Sequence, residues 1–205
     1  MIFDSPQTLV FRLVALLVAA TVHEYAHALM ADRLGDPTPR LMGRLSLNPI
    51  VHLDLLGSVL LLLAGFGWAK PVQVNPRNFT NGRKGMMLVA AAGPLANVTL
   101  LYLLGAAFQL DLIAPSTVLG RLVLTTMFIN AMLAVFNLLP VPPLDGSKIL
   151  AGLLPPAQAH AYDRLQQYGP LLLLVLILLP GRIFGQVIGP PIFWLMSQAL
   201  GRGGL

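Results

Sequence analysis

The chain contains no cysteine, and only 10% of its 205 residues are charged. The first absence removes disulfides, thiolate metal ligands and cysteine nucleophiles together. The second removes a soluble domain, in which nearly a quarter of residues carry charge. With 56% hydrophobic residues and a mean hydropathy of +0.76, the composition is that of an integral membrane protein. Acidic residues are fewer than basic ones, 8 against 13, and in a membrane protein such an excess speaks first to orientation. No basic patch interleaved with aromatics is present, so nucleic acid is not an expected partner. Serine chemistry lacks its G-x-S-x-G elbow. Tyr162-Asp163 stands in a polar stretch without the G-x-G-D partner of aspartyl intramembrane proteases.

What is present is a series of long apolar runs. Ser5-Pro6 reads as an N-cap followed by proline at the first helical position, and Gly35 as a stop. The helix between them, 6–34, would extend roughly 43 Å at 1.5 Å per residue, enough to cross a bilayer with a turn to spare. A signal peptide is rejected there, because Asp4 precedes the first Arg and cleavage after Ala26-His27-Ala28 would cut a candidate metal site. Two further spans are expected at 85–110 and 117–139, the latter stopped by Pro140-Val141-Pro142-Pro143. Residues 55–69 are apolar but short and glycine-bearing. The stretch from Asp36 to Leu56 reads as loop with short strands, and Lys70 to Pro76 as an exposed strand between prolines. A short helix opens at Leu144-Asp145, 157–167 is polar and amphipathic, and 171–200 forms one span plus a re-entrant helix or two bent spans.

Inside the first run stands His23-Glu24-Tyr25-Ala26-His27, an H-E-x-x-H sequence. Positions four apart on a helix lie one above the other, so both imidazoles can face one metal ion, with Glu24 beside them. A catalytic zinc takes three protein ligands and keeps one open position. The third must come from elsewhere, and the candidates are Asp32, Asp36, His52, Asp54, Asp111, Asp145, His160 and Asp163. Asp145 stands out because it directly follows a span, where coordination to a cation would offset the cost of a carboxylate near hydrocarbon.

The H-E-x-x-H of residues 23–27, the G-P-x-x-N of residues 93–97 and the N-x-x-P-x-P-x-x-D-G of residues 137–146 together resemble the site-2 protease family of intramembrane zinc metalloproteases. Leu47-Asn48-Pro49 through His52, with Gly67-Trp68-Ala69-Lys70-Pro71, resembles a compact subgroup without PDZ or CBS domains. The resemblance implies one zinc ion per chain on His23, His27 and Asp145, with Glu24 as general base and a transmembrane protein as substrate. Asn97 and Asn137 become candidates to hold the substrate backbone or the developing oxyanion. As intramembrane asparagines, both also fit simple interhelical hydrogen bonding. His52 is a candidate for loop fixing, metal-ligand support or gating. A non-catalytic zinc-binding or cation-transport protein is the alternative, against which the retention of Glu24 counts.

The expected fold is thus an all-α polytopic membrane protein. It has three core transmembrane helices (6–34, 85–110, 117–139), a re-entrant or hairpin segment at 55–69 and C-terminal span or spans after 168. Residues 1–205 form a single domain, with a catalytic core at 6–150 and C-terminal helices at 157–201. The ligand set itself constrains topology. Asp145 reaches the histidines only if 55–69 starts and ends on one side. That side then collects Arg33, Arg40, Arg44, Lys70, Arg77, Arg83, Lys84 and Lys148, which makes it cytoplasmic and the N-terminus extracytoplasmic in the cell membrane of a prokaryote. A transmembrane substrate must become extended before it is cut, and either the proline segment 140–144 or the strand 72–74 could pair with it.

Overall fold

The structure is a computed structural model in which residues 5–54, 57, 69–178 and 181–201 are described. Its first helix, α1 (Pro6–Arg33), begins where the Ser5 hydroxyl accepts the Thr8 amide, with proline next in line. One stripe of α1 runs through Ala15, Ala19, His23, His27 and Ala31 at steps of four residues. The alanines in it are fully buried. Such small residues let neighbouring backbones approach closely, which matters in lipid because hydrophobic burial does not drive helices together there. The imidazoles interrupt this stripe and so face the centre of the bundle.

A short helix, α2 (Thr38–Leu41), and a 3-10 turn (Pro49–His52) occupy the region read as loop with short strands. Next come the second long helix, α3 (Gly82–Gln109), and the third, α4 (Val118–Asn137). Asn81 caps α3 by accepting the Lys84 amide, and Thr117 caps α4 by accepting that of Gly120. Among the described residues, α1, α3 and α4 are the helices long and apolar enough to cross a membrane. Each packs on the other two.

Their directions follow from the side-chain contacts. His27 meets Val89 while Ala19 meets Asn97, so α1 and α3 are antiparallel. Asn97 meets Asn130 beside Ala19, and Asp145 meets His23, so α4 runs parallel to α1. Residues 34 to 81 therefore leave and return at the same end of the bundle, where Phe79 packs with Ala31 and Val89. The segment 55–69, apart from Gly57 and Ala69, lies outside the described residues. Its flanks are paired: Leu53 bridges Ala69 in antiparallel sense and the Lys70 amide donates to the His52 carbonyl at 2.8 Å.

The expected strand at 72–74 is not formed. Residues 71–75 have no regular structure, and two of their amides go to carboxylates instead, Val72 to Glu24 and Asn75 to Asp36. Beyond α4 the chain turns through a cis Pro142-Pro143 bond into α5 (Asp145–Leu153), then α6 (Pro156–Asp163). The C-terminal part forms α7 (Gly169–Leu178) and α8 (Gly181–Leu200). Helix α8 closes a second side of the bundle, with Ile188, Ile192 and Met196 against Leu101, Val123 and Met127.

Candidate metal centre

Two helices, α1 and α5, deliver three donor atoms to one point. His23 Nε2 lies 3.0 Å from Asp145 Oδ2, and His27 Nε2 lies 3.2 Å from the same oxygen. All three residues are buried. They are the one group of three or more His, Cys, Asp or Glu side chains placed to hold a metal among the described residues. The other third-ligand candidates are elsewhere: Asp32 pairs with Arg40, Asp36 closes a loop, Asp54 accepts the Gly57 amide, and Asp111, His160 and Asp163 are exposed.

The donor chemistry argues for a cation. The Val89 carbonyl can only accept, so at 2.7 Å it requires a proton on His27 Nδ1. Asn97 Oδ1 lies 2.6 Å from His23 Nδ1. The Asn97 amide nitrogen is committed to the Ala19 carbonyl at 3.0 Å and to Asn130 Oδ1 at 2.8 Å, which fixes the amide's orientation and makes Oδ1 the acceptor. As neutral rings, both imidazoles then present Nε2 lone pairs toward Asp145 Oδ2. Three acceptors facing one another at such distances repel unless a positive charge sits among them, and two neutral imidazoles with a carboxylate are a zinc donor set.

Glycine makes room for this cluster. A Cβ on Gly93 would lie 2.6 Å from His27 Cε1 and Nε2 and 2.7 Å from His23 Cε1. The glycine of G-P-x-x-N is thus where α3 passes directly against both rings. At Gly146 a Cβ would lie 2.3 Å from the Leu138 carbonyl and 2.4 Å from that of Leu139. The glycine of the D-G pair lets α5 start tightly under the end of α4, and this seats Asp145.

Beside the cluster opens a cavity of about 630 Å³, lined largely by apolar side chains of α1, α4 and the segment around Val72. Glu24 lines it, with Oε2 accepting the Val72 amide at 3.0 Å. Asn137 lines it too, its amide nitrogen donating to the Leu133 carbonyl at 3.0 Å. Lys148 reaches its edge, with Nζ 3.8 Å from Asp145 Oδ1. Asn97 does not line the cavity. It is fully buried with its amide engaged at both ends, the geometry of a group that holds His23 rather than one that meets substrate.

His52 lies against the cavity, with Nε2 donating to the Ser46 carbonyl at 2.8 Å and Nδ1 buried without a hydrogen-bond partner. Next to it the buried Arg44 guanidinium binds the Val51 and Lys70 carbonyls, tying together the two flanks of the 55–69 segment. At the other end of the Val72 segment, Asp36 accepts from the Asn75 amide, the Asn78 side chain and both the amide and hydroxyl of Thr38. Sequence reasoning gave Asn130 no role, named Asp36 only among the possible third ligands and counted Arg44 only among the basic residues of one side. A lone intramembrane asparagine has no spacing signal, and the other two act on backbone groups that no motif encodes.

Residues 109–180 match the sequence pattern of Peptidase family M50. The chain is 39% identical over 196 residues to the Bacillus subtilis protein named "Putative zinc metalloprotease YwhC", covering 92% of this chain and 86% of that one. It is 36% identical over 190 residues to "Putative zinc metalloprotease Rip2" of Mycobacterium tuberculosis, covering 88% and 71%. A shorter match, 37% over 99 residues, reaches "Putative zinc metalloprotease MJ0611" of Methanocaldococcus jannaschii, covering 47% of this chain and 49% of that one. No solved structure matches the chain. With a relative this similar across nearly its whole length, and with three apolar helices of spanning length, the chain belongs to the site-2 proteases of peptidase family M50 and is an integral-membrane zinc metalloprotease.

Proposed function

We propose that the protein is an intramembrane endopeptidase that hydrolyses a peptide bond in or beside a transmembrane segment of another membrane protein. His23, His27 and Asp145 hold one zinc ion per chain, and Glu24 is the general base. The observation that carries this reading is the convergence of two imidazole Nε2 atoms and a carboxylate oxygen beside an apolar cavity that Glu24 shares. Zinc, when bound, polarises the scissile carbonyl and lowers the pKa of a bound water toward ~7.

The chain's own groups do the rest. Glu24 takes a proton from the attacking water and returns it to the leaving amine. The Val72 amide aims the carboxylate while this happens. Asn137, at the cavity wall, holds the substrate backbone or the developing oxyanion with the N–H that Leu133 does not use. Asn97 keeps the His23 ring in place, and His52 fixes the loop beside the cavity. The apolar wall accepts the side chains of an unwound transmembrane segment. Residues 71–74 line the same cavity, and their main-chain groups are the ones that would pair with an unwound substrate.

The end of the bundle that holds the site gathers the Arg and Lys residues of the 33–84 region, whereas the 111–120 connection has none. By the positive-inside rule the site opens toward the cytoplasm of a prokaryotic cell. Two experiments test the proposal. The Glu24→Gln protein, co-reconstituted with single-span reporter substrates that the native protein cuts, is expected to retain zinc and lose cleavage. Unchanged cleavage rules the mechanism out. The absence of native cysteine allows single cysteines at Asn78 and Ser116 to be labelled from either face, and reaction of both from the same face would overturn the topology.

A further inference from the structure

Asn130 is fully buried in α4, and its hydrogen bonds run to Asn97 and the Thr126 carbonyl. Its amide nitrogen donates to the Thr126 carbonyl at 2.8 Å, and its Oδ1 accepts from Asn97 at 2.8 Å. Asn97 Oδ1 in turn accepts from His23 Nδ1 at 2.6 Å. The donors therefore all point one way, from His23 through Asn97 and Asn130 to Thr126. The last member is a backbone carbonyl and can only accept, so the polarity of the whole series is set from α4.

A turned Asn130 amide would put oxygen against the Thr126 carbonyl and nitrogen against the Asn97 nitrogen. Neither contact is tolerable in a buried site. Asn97 carries two N–H groups, and the Ala19 carbonyl engages one of them at 3.0 Å. Asn130 engages the other, so two anchors rather than one stop the Asn97 side chain from swinging. What they hold still is the acceptor that keeps the His23 proton on Nδ1 and its lone pair on Nε2.

We propose that Asn130 is a positioning residue of the metal centre, acting through Asn97 on the tautomer and orientation of His23. The inference rests on the reading of His23 as a zinc ligand, and its test separates the two. Zinc affinity is measured by chelator competition on the purified full chain and on the variants His23→Ala, Asn97→Leu, Asn130→Leu, Asn130→Asp and the Asn97→Leu/Asn130→Leu double variant. Asn130→Leu is expected to weaken zinc binding about tenfold, at the low end of what loss of a ligand's supporting partner costs. Asn130→Asp still offers an oxygen to Asn97, and as a buried neutral acid gives Thr126 an O–H for the lost N–H. It is expected to bind within about threefold of the native protein.

The decisive comparison is the double variant. If Asn130 acts through Asn97, the double variant binds zinc no more weakly than Asn97→Leu alone. Multiplied effects mean that Asn130 acts by packing the bundle and overturn the inference, as does native affinity in Asn130→Leu alongside a defective His23→Ala. Native zinc affinity in His23→Ala instead overturns the ligand assignment itself. Should Asn130→Leu not fold, Asn130→Ala takes its place in the same comparison.

Discussion

His23 and His27 are held from inside the helix bundle, whereas Glu24, between them in sequence, is held from outside it. The imidazoles are fixed by Asn97 and by the Val89 carbonyl, both on the continuous helix α3. Glu24 is fixed by the amide of Val72, in a segment with no regular structure of its own. That segment is pinned at its two ends, by Arg44 and the His52 carbonyl at Lys70 and by Asp36 at Asn75. A metal site needs ligands that stay within tenths of an ångström of one geometry, and a helix supplies such fixity. Under the proposed mechanism Glu24 is a base that meets a substrate of changing shape, and such a group is better served by a support that can yield. The two regions therefore predict different consequences when each is disturbed: zinc is lost on the first side, turnover on the second.

The comparison is broken most severely by removing a donor. Asp145→Ala is expected to abolish stable zinc binding and all cleavage, because two imidazoles alone leave the site one ligand short. Metal content by elemental analysis checks it, and a zinc-loaded Asp145→Ala protein would show that the third ligand is elsewhere. Gly93→Ala is expected to come next. Its methyl would have to occupy space 2.6 Å from His27 Nε2, so both rings must shift, with zinc affinity falling roughly 10–100-fold. Chelator competition reads the effect.

On the outer side the same measurements should give the opposite pattern. Val72→Pro deletes the N–H that Glu24 accepts while suiting an extended backbone. It is expected to leave zinc affinity unchanged and lower kcat about tenfold, the cost of one charge-assisted hydrogen bond at 1.4 kcal/mol per decade. Loss of zinc in this variant would erase the distinction between the two sides.

Asp36 gives the outer side its pH dependence. Burial pushes its carboxyl up, but hydrogen bonds from Thr38, Asn75 and Asn78 outweigh this and hold it below the ordinary 3.8. A depressed pKa means that the folded state favours the ionised form, so this anchor is complete above the ordinary value and is lost as pH falls through the lowered one. Asp36→Ala is expected to cost about 2 kcal/mol of stability near neutral pH. It should also flatten the acid limb of a thermal-unfolding profile below pH 4, and an unchanged acid limb would place that sensitivity elsewhere.

The sequence carried the inner side far better than the outer one. H-E-x-x-H, G-P-x-x-N and the D-G pair each put a chemically distinctive residue at a fixed spacing on a helix or helix end, and these three elements meet. The helix boundaries also came close: α1 ends at Arg33 against an expected 34, and α4 at Asn137 against 139. Asn97 is legible as a site residue, but the choice between facing substrate and hydrogen-bonding between helices stays open in the sequence, because spacing does not reveal which way an amide points among three helices. The contacts of the outer side are mostly between side chains and backbone amides or carbonyls distant in sequence, Val72 with Glu24 and Arg44 with Lys70. Every residue has such backbone groups, so nothing in the letters marks the ones that matter. Proline flanks suggest a strand at 72–74, yet the Val72 amide and that of the adjoining Asn75 meet carboxylates rather than a partner strand.

The smallest expected effect lies at Arg40, and it sharpens the comparison by marking where the outer clamp stops. Arg40 and Asp32 form an ion pair beside the Asp36 loop, but the arginine side chain is 66% exposed. Water and salt screen such a pair, and holding two long side chains in one geometry costs entropy. Arg40→Ala is therefore expected to leave zinc affinity, kcat and the unfolding midpoint all within measurement error. Arg44→Ala, four residues on, loses the buried guanidinium that joins the Val51 and Lys70 carbonyls and should lower kcat with zinc retained. If Arg40→Ala matched Arg44→Ala in kcat, the support of Glu24 would extend to the exposed loop, and burial would not be what separates the residues that hold the base from those that do not.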